Sequence, residues 1–200
     1  MKKLVVLFFF LLGSYAFSQT AAAAKEVFEK IKKEAVIDGS DTTVYNVLDE
    51  FYTQNLQADN DEITPETVEK IQRLASDPHT KNLHLLLLFL MYQQHISQTS
   101  AAGRKPNPEF QTETAKLLQD ETLAVYGKIP AILYIYRYEA LDGAGKKEDA
   151  KAVAAQGLKE YPDSVPLKVY NYLTTKNENL KTDLIKHHSG HWMVKQFGIN

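Results

Sequence analysis

Residues 131–164 read AILYIYRYEALDGAGKKEDAKAVAAQGLKEYPDS, and this stretch decides the fold. An apolar segment with helical periodicity comes first and ends near Gly145, since glycine adopts the left-handed conformation of helix ends at no steric cost. A second segment places small apolar residues on one side and lysines on the other, and Pro162 blocks its continuation. The stretch therefore predicts two adjacent antiparallel helices, 131–143 and 146–160.

This unit resembles the tetratricopeptide repeat, a helix–turn–helix motif of roughly 34 residues. Gly145, Ala150, Leu158 and Pro162 stand at the spacings where the repeat has its turn residue, its small packing residue, a hydrophobic residue of the second helix and its terminal proline. Tyr138 departs from the pattern, which has a small residue there. A small surface opposite it, including Ala150, would conserve the packed volume.

The resemblance also implies a binding face. In an array of such repeats, Ile135, Glu139 and Asp142 of this unit would face the concave groove. By analogy these three residues are candidates for binding a protein or peptide partner, although a fold alone does not fix a function.

The remaining chain shows the same pattern of helical segments and short breaks. We therefore predict an all-α protein with eight or nine helices, stacked as antiparallel hairpins in a tetratricopeptide-like superhelix. The segment 85–92, LLLLFLMY, is apolar on every face and predicts a buried helix. The break at 98–108, QTSAAGRKPNP, predicts either a hinge between two halves of the domain or a functional loop. Residues 165–200 predict a divergent hairpin that caps the array.

The N-terminus has the pattern of a secretory signal peptide. Lys2-Lys3 precede an apolar run from 4 to 12, and the small residues of Ala16-Phe17-Ser18 follow before Gln19. The run is too short to span a bilayer. We predict cleavage after residue 18, which leaves a single α-helical domain at 19–200 with no stable membrane anchor. The predicted location is periplasmic or secreted.

Composition limits the classes of partner. The chain has no cysteine, so its stability depends on packing without disulfides. Loss of Lys2 and Lys3 leaves 21 basic against 25 acidic side chains, which lowers the net charge from −2 to −4. A mildly acidic protein is poorly suited to nucleic acid, because phosphate contacts need basic surface. We therefore expect no nucleic-acid partner.

Three histidines near the C-terminus suggest one alternative. His187 and His191 would share a face of an unbroken helix at a spacing that zinc sites use. Gly190 interrupts that helix, and no cysteine or suitably spaced carboxylate completes the ligand set. We therefore predict no metal and no cofactor, and expect Trp192 and the residues after it to fold back as an apolar lid. A periplasmic hydrolase or metal-dependent enzyme with a site near His187, His188 and His191 remains the alternative.

Motifs of catalysis are missing from the sequence. It has no Gly-x-Ser-x-Gly elbow, no cysteine nucleophile and no glycine-rich phosphate loop. We therefore predict that the protein is not an enzyme but a module for protein–protein interaction or scaffolding. A small-ligand carrier, with its pocket near the 98–108 loop, is a further alternative.

Overall fold

A computed structural model of the chain describes residues 20–59 and 62–200, so the predicted leader at 1–18 lies outside the described residues. The described part contains ten α-helices and no strand, which confirms the all-α prediction and exceeds the predicted count of eight or nine. A π-helical turn, Thr53–Gln57, continues α2. The helices are α1 (Ala21–Glu34), α2 (Thr43–Tyr52), α3 (Pro65–Ser76), α4 (Leu83–Ala101), α5 (Pro108–Tyr126), α6 (Ala131–Gly143), α7 (Lys147–Glu160), α8 (Val165–Thr175), α9 (Glu178–His188) and α10 (Trp192–Gln196).

Local capping residues explain several of these boundaries. The Asn107 side chain accepts hydrogen bonds from the first backbone N–H groups of α5, and Pro108 occupies its first turn. Gly127 ends the same helix in the left-handed conformation, with φ of 68°. Ser164 caps α8 by accepting from the backbone N–H of Leu167 at 3.3 Å. These residues are recognisable in the sequence because each acts on its own chain neighbours.

The described part of the chain divides into two compact units, and the first combines residues 20–44 with 70–128. In it, α1, α4 and α5 pack against one another. The apolar segment 85–92 forms the middle of α4 and is largely buried, as its composition predicts. No helix in the described part of the chain is long and apolar enough to cross a membrane. The break after α4 joins it to α5 within this unit, so the predicted hinge at 98–108 does not separate the two units.

The second unit combines residues 45–59 and 62–69 with 129–200 and contains the predicted hairpin. Helices α6 and α7 lie along each other and are joined by residues 144–146, so they run antiparallel. Their bounds match the predicted pair except that α7 begins one residue later, at Lys147. Helix α7 packs on α8, α8 packs on α9, and α6 also contacts α8. Consecutive helices are therefore neighbours throughout this part of the chain.

Three of these helices meet at Gly157 of α7. A Cβ atom at this position would lie 2.8 Å from the Cβ of Tyr134 in α6 and 3.1 Å from a methyl carbon of Leu167 in α8. Carbon atoms in contact normally lie about 3.5–4.0 Å apart, so only glycine permits this approach. Ala150 and Ala154 of α7 are also fully buried. Small residues on α7 therefore let neighbouring helices come close.

Candidate functional site

The three residues predicted to bind a partner form one stripe along α6, because they are four and three positions apart. The stripe runs from the interior to the surface. Ile135 is only 1% exposed and belongs to the core, so its side chain offers no surface to a partner. Glu139 and Asp142 are partly exposed. Of the three predicted residues, only Glu139 and Asp142 therefore remain candidates for binding a partner.

Glu139 is a partly buried carboxylate without a counter-ion. Its side chain accepts a hydrogen bond from the Tyr170 hydroxyl. Burial raises the pKa of Glu139, and the hydrogen bond from Tyr170 offsets only part of this rise. No lysine or arginine of the described residues pairs with this carboxylate. Because a desolvated charge is costly when it lacks an opposite charge, a cation would stabilise Glu139.

Aromatic rings border this carboxylate. Tyr138 and Tyr170 are stacked, with ring centroids 4.2 Å apart. Phe197 meets Tyr170 edge-on at 6.2 Å and is 40% exposed. Burial, followed by the charges of Asp142 and Glu139, raises the pKa of Tyr138 to about 12, so both carboxylates act on this ring. We call the set of Tyr138, Glu139, Asp142, Tyr170 and Phe197 the Glu139 face.

Asp142 carries the second charge of the Glu139 face. It forms an ion pair with Lys147 at 2.6 Å, in which the Lys147 side chain is 64% exposed and the Asp142 side chain 36%. Exposed pairs of this kind contribute only about 0–1 kcal/mol to stability, because water solvates both charges. A cation from another molecule can therefore replace Lys147 at little cost.

His191, the histidine central to the alternative metal site, is fully engaged in structure. It is 1% exposed and caps the N-terminus of α10. Its Nδ1 accepts from the backbone N–H of Met193 at 3.2 Å, and its Nε2 lies 3.0 Å from the carbonyl oxygen of Leu56. A carbonyl can only accept, so the hydrogen-bond network assigns the proton to Nε2. Neither nitrogen is left to bind a metal.

The other two histidines do not build a site either. His187 is exposed, whereas His188 lies 3.5 Å from the Lys168 ammonium and 4.0 Å from a carboxylate oxygen of Asp183. Within residues 20–59 and 62–200, no group of three or more His, Asp or Glu side chains could hold a metal ion. The sequence alternative of a metal-dependent site near these histidines therefore lacks its ligand set in this part of the chain.

The structure bears out the predicted C-terminal lid only in part, since Met193 and Val194 are buried but Phe197 is 40% exposed. Helix α10 packs on α8 and α9, and Met193 and Val194 are buried there. Ile199 is also buried, at 7% exposure. Apolar side chains spaced along 193–199 thus cover the last hairpin.

Tyrosine hydroxyls elsewhere in the second unit are used to join helices. Tyr134 of α6 donates to the carboxylate of Glu160 in α7 at 2.6 Å. Tyr161 donates to the backbone carbonyl of Ile129 and lies 3.3 Å from the Tyr45 hydroxyl. Burial raises the pKa of Tyr161. These phenols remain protonated and bonded, so they are structural groups.

Two members of the Glu139 face, Tyr170 and Phe197, carry no sequence signal for this role. Tyr170 lies 31 positions from Glu139, and helical periodicity marks it only as a buried apolar residue. Phe197 belongs to the predicted lid. Only the packing of α6, α8 and the C-terminal segment brings these side chains together.

Comparisons with known proteins add no relative. No protein-family model matches the chain, and neither a curated protein nor a solved structure matches it significantly.

Proposed function

We propose that this chain is an exported helical-repeat protein of the tetratricopeptide-like class that acts as a protein–protein interaction or scaffolding module. Its partner is a protein or peptide that docks on the Glu139 face in the periplasm or outside the cell. The observation that carries the proposal is the carboxylate of Glu139, which is partly buried and lacks a counter-ion among the described residues.

The composition of the Glu139 face supports a protein partner. Aromatic residues are enriched at the centres of protein interfaces. Phe197 supplies exposed apolar area, and Asp142 supplies a charge whose present partner is exchangeable. The paired antiparallel helices α6 to α9 supply a rigid support, which favours binding because little order is lost on association.

Site-specific photo-crosslinking tests this proposal. A photoreactive phenylalanine analogue replaces Asp142 on the Glu139 face, and a matched control places it at Asp149, an exposed acid in the first turn of α7. The purified protein is irradiated in envelope extract from its own source. We expect adducts from position 142 that are missing from position 149 and that weaken with Glu139→Gln. Identical adducts from both positions, or none, would contradict the proposal.

The metal-dependent hydrolase has weaker support. That function needs His191 or its neighbours as ligands, and both nitrogens of His191 are hydrogen-bonded within the chain. No contact of the described residues favours the small-ligand carrier over the interaction module. We therefore keep the interaction module as the single proposed function.

A further inference from the structure

One side chain fastens the C-terminal segment. His191 stands between α9 and α10, and its imidazole bridges two parts of the second unit. It accepts from the Met193 N–H through Nδ1 and donates to the Leu56 carbonyl of the π-helical turn through Nε2. The two contacts are 3.2 and 3.0 Å long, and the ring is 1% exposed. The bond from Met193 requires a neutral imidazole, whereas the bond to Leu56 needs only the N–H group at Nε2.

A second proton on His191 is incompatible with this arrangement. An imidazolium ion has two N–H donors and no acceptor, so the Met193 N–H would lose its partner and face a second donor. The new charge would also be buried, which is costly unless an acid neutralises it. The cap of α10 therefore exists only while His191 is neutral.

Charged groups around His191 come from each element packed against it. Asp59, just beyond the π-helical turn, favours a charge on His191, whereas His188 of α9 disfavours it. Beyond His188, Lys168 of α8 pairs with Asp183 of α9 at 2.7 Å. Burial is the largest influence and lowers the pKa of His191, although hydrogen bonds with the backbone of Leu56 and Gln57 and the charge of Asp59 oppose this. Histidine nevertheless titrates near neutrality, so mild acid is enough to protonate the released ring.

The fastened segment covers apolar surface. Met193, Val194 and Ile199 are buried beneath it or within it, and the ring of Phe197 lies against Tyr170 of α8. Among the helices, α10 packs mainly on α8 and α9. A small segment with few contacts can open locally while the rest of the unit stays folded.

We propose that His191 is a pH-sensitive latch: its protonation releases residues 191–199 from α8 and α9 while the helical hairpins stay folded. Release removes Phe197 from Tyr170 and so alters the Glu139 face. The importance of this change for binding rests on the proposed function. The pH-dependent release itself does not, and it can be tested on the protein without a partner.

The single tryptophan of the chain reports on the latch. Trp192 follows His191 directly, its ring lies 5.9 Å from the imidazole, and its indole N–H is buried. We would follow the emission maximum from about pH 8 to about pH 5. The maximum is preferred to the intensity, because an imidazolium ion can quench tryptophan. We expect a red shift below about pH 6.5. The ratio of molecules with residues 191–199 packed to molecules with this segment released should fall up to about tenfold per pH unit. Far-UV circular dichroism should change little over the same range.

Two variants and one further measurement complete the test. His191→Asn keeps a side-chain acceptor for the cap and an N–H donor but does not titrate, so its emission should stay blue. His188→Asn is the matched control and should keep the red shift. A wild-type maximum that does not move, a shift that persists in His191→Asn, or a shift accompanied by loss of helix overturns the latch. If His191→Asn does not fold, NMR titration of the wild-type imidazole decides: a midpoint that coincides with the Trp192 shift supports the latch, and a separate midpoint overturns it.

Discussion

Replacement of Gly157 by alanine tests how closely α6, α7 and α8 pack. The added Cβ would lie 2.8 and 2.9 Å from the Cβ and Cγ of Tyr134, and 3.1 Å from a methyl carbon of Leu167. Contact at about 3.5 Å would require the helices to separate by about 0.7 Å. The Cβ of Tyr134 is fixed to the α6 backbone, so a change of rotamer cannot relieve this contact. The helices themselves must therefore move.

Two opposing effects set the magnitude for Gly157→Ala. Alanine favours a helix over glycine by about 1 kcal/mol, whereas overpacking a core costs about 1–3 kcal/mol. Because the clash involves two atoms of Tyr134 close to the backbone, we expect overpacking to win. The net loss should reach up to about 2 kcal/mol, equivalent to a fall in Tm of up to about 8 °C.

Urea unfolding followed by far-UV circular dichroism measures this loss as a lower midpoint with an unchanged slope. Gly143→Ala is the matched control, since Gly143 ends α6, is exposed and has no heavy atom within 4 Å of an added Cβ. It should leave stability unchanged or slightly higher. A Gly157→Ala variant at least as stable as the wild type would refute the close packing of α6, α7 and α8.

Three further substitutions test other parts of the structure. Ala150→Phe should cost about 1–3 kcal/mol by overpacking, because Ala150 is fully buried in α7; full tolerance in urea unfolding would contradict that packing. Asn82→Ala should cost about 3 kcal/mol or more. The buried Asn82 amide forms hydrogen bonds with both the N–H and the carbonyl of Asp38, and the residue has a φ of 58°. A loss of stability below about 1 kcal/mol would show that these bonds are dispensable. His84 is fully buried, and neither of its ring nitrogens forms a hydrogen bond. Burial lowers the pKa of His84 from 6.5; the charge of Glu121 opposes this change, and the charge of Lys32 adds to it. The unfolded chain therefore takes up the proton first, and stability present above about pH 6.5 is lost as pH falls, by up to about 1.4 kcal/mol per unit for this group. His84→Leu should be more stable than the wild type and lose less stability in acid, as unfolding at a series of pH values would show; an unchanged pH dependence would contradict this role of His84.

The sequence predicts the α6–α7 hairpin well because its signals are local. Gly145 and Pro162 act on adjacent backbone, and the apolar stripes need only helical periodicity. The apolar segment 85–92 predicts the middle of α4 but does not indicate that the helix begins at Leu83. Asn82 precedes α4 in a left-handed conformation, and its bonds reach the backbone 41 and 44 positions away. No local pattern encodes contacts over such distances.

The candidate site divides in the same way. Glu139 and Asp142 follow from the position of α6 in the predicted repeat, because their spacing fixes them on one stripe. Ile135 lies on the same stripe but is buried, so it is no longer a binding candidate. How deeply each residue of the stripe is buried depends on the neighbouring helices. The bond between His191 and Leu56 joins residues 135 positions apart, so no local sequence pattern predicts it.

The central structural claim is that consecutive helices of the second unit stack as antiparallel hairpins and so provide a surface for docking. Nuclear Overhauser effects at Gly157, in protein labelled with ¹³C and ¹⁵N, test this claim most directly, because α6, α7 and α8 converge on this one residue. We predict cross-peaks from the Gly157 Hα protons to the Tyr134 Hβ protons and to a Leu167 methyl group. If Gly157 shows contacts only within its own helix, the stacked arrangement is contradicted.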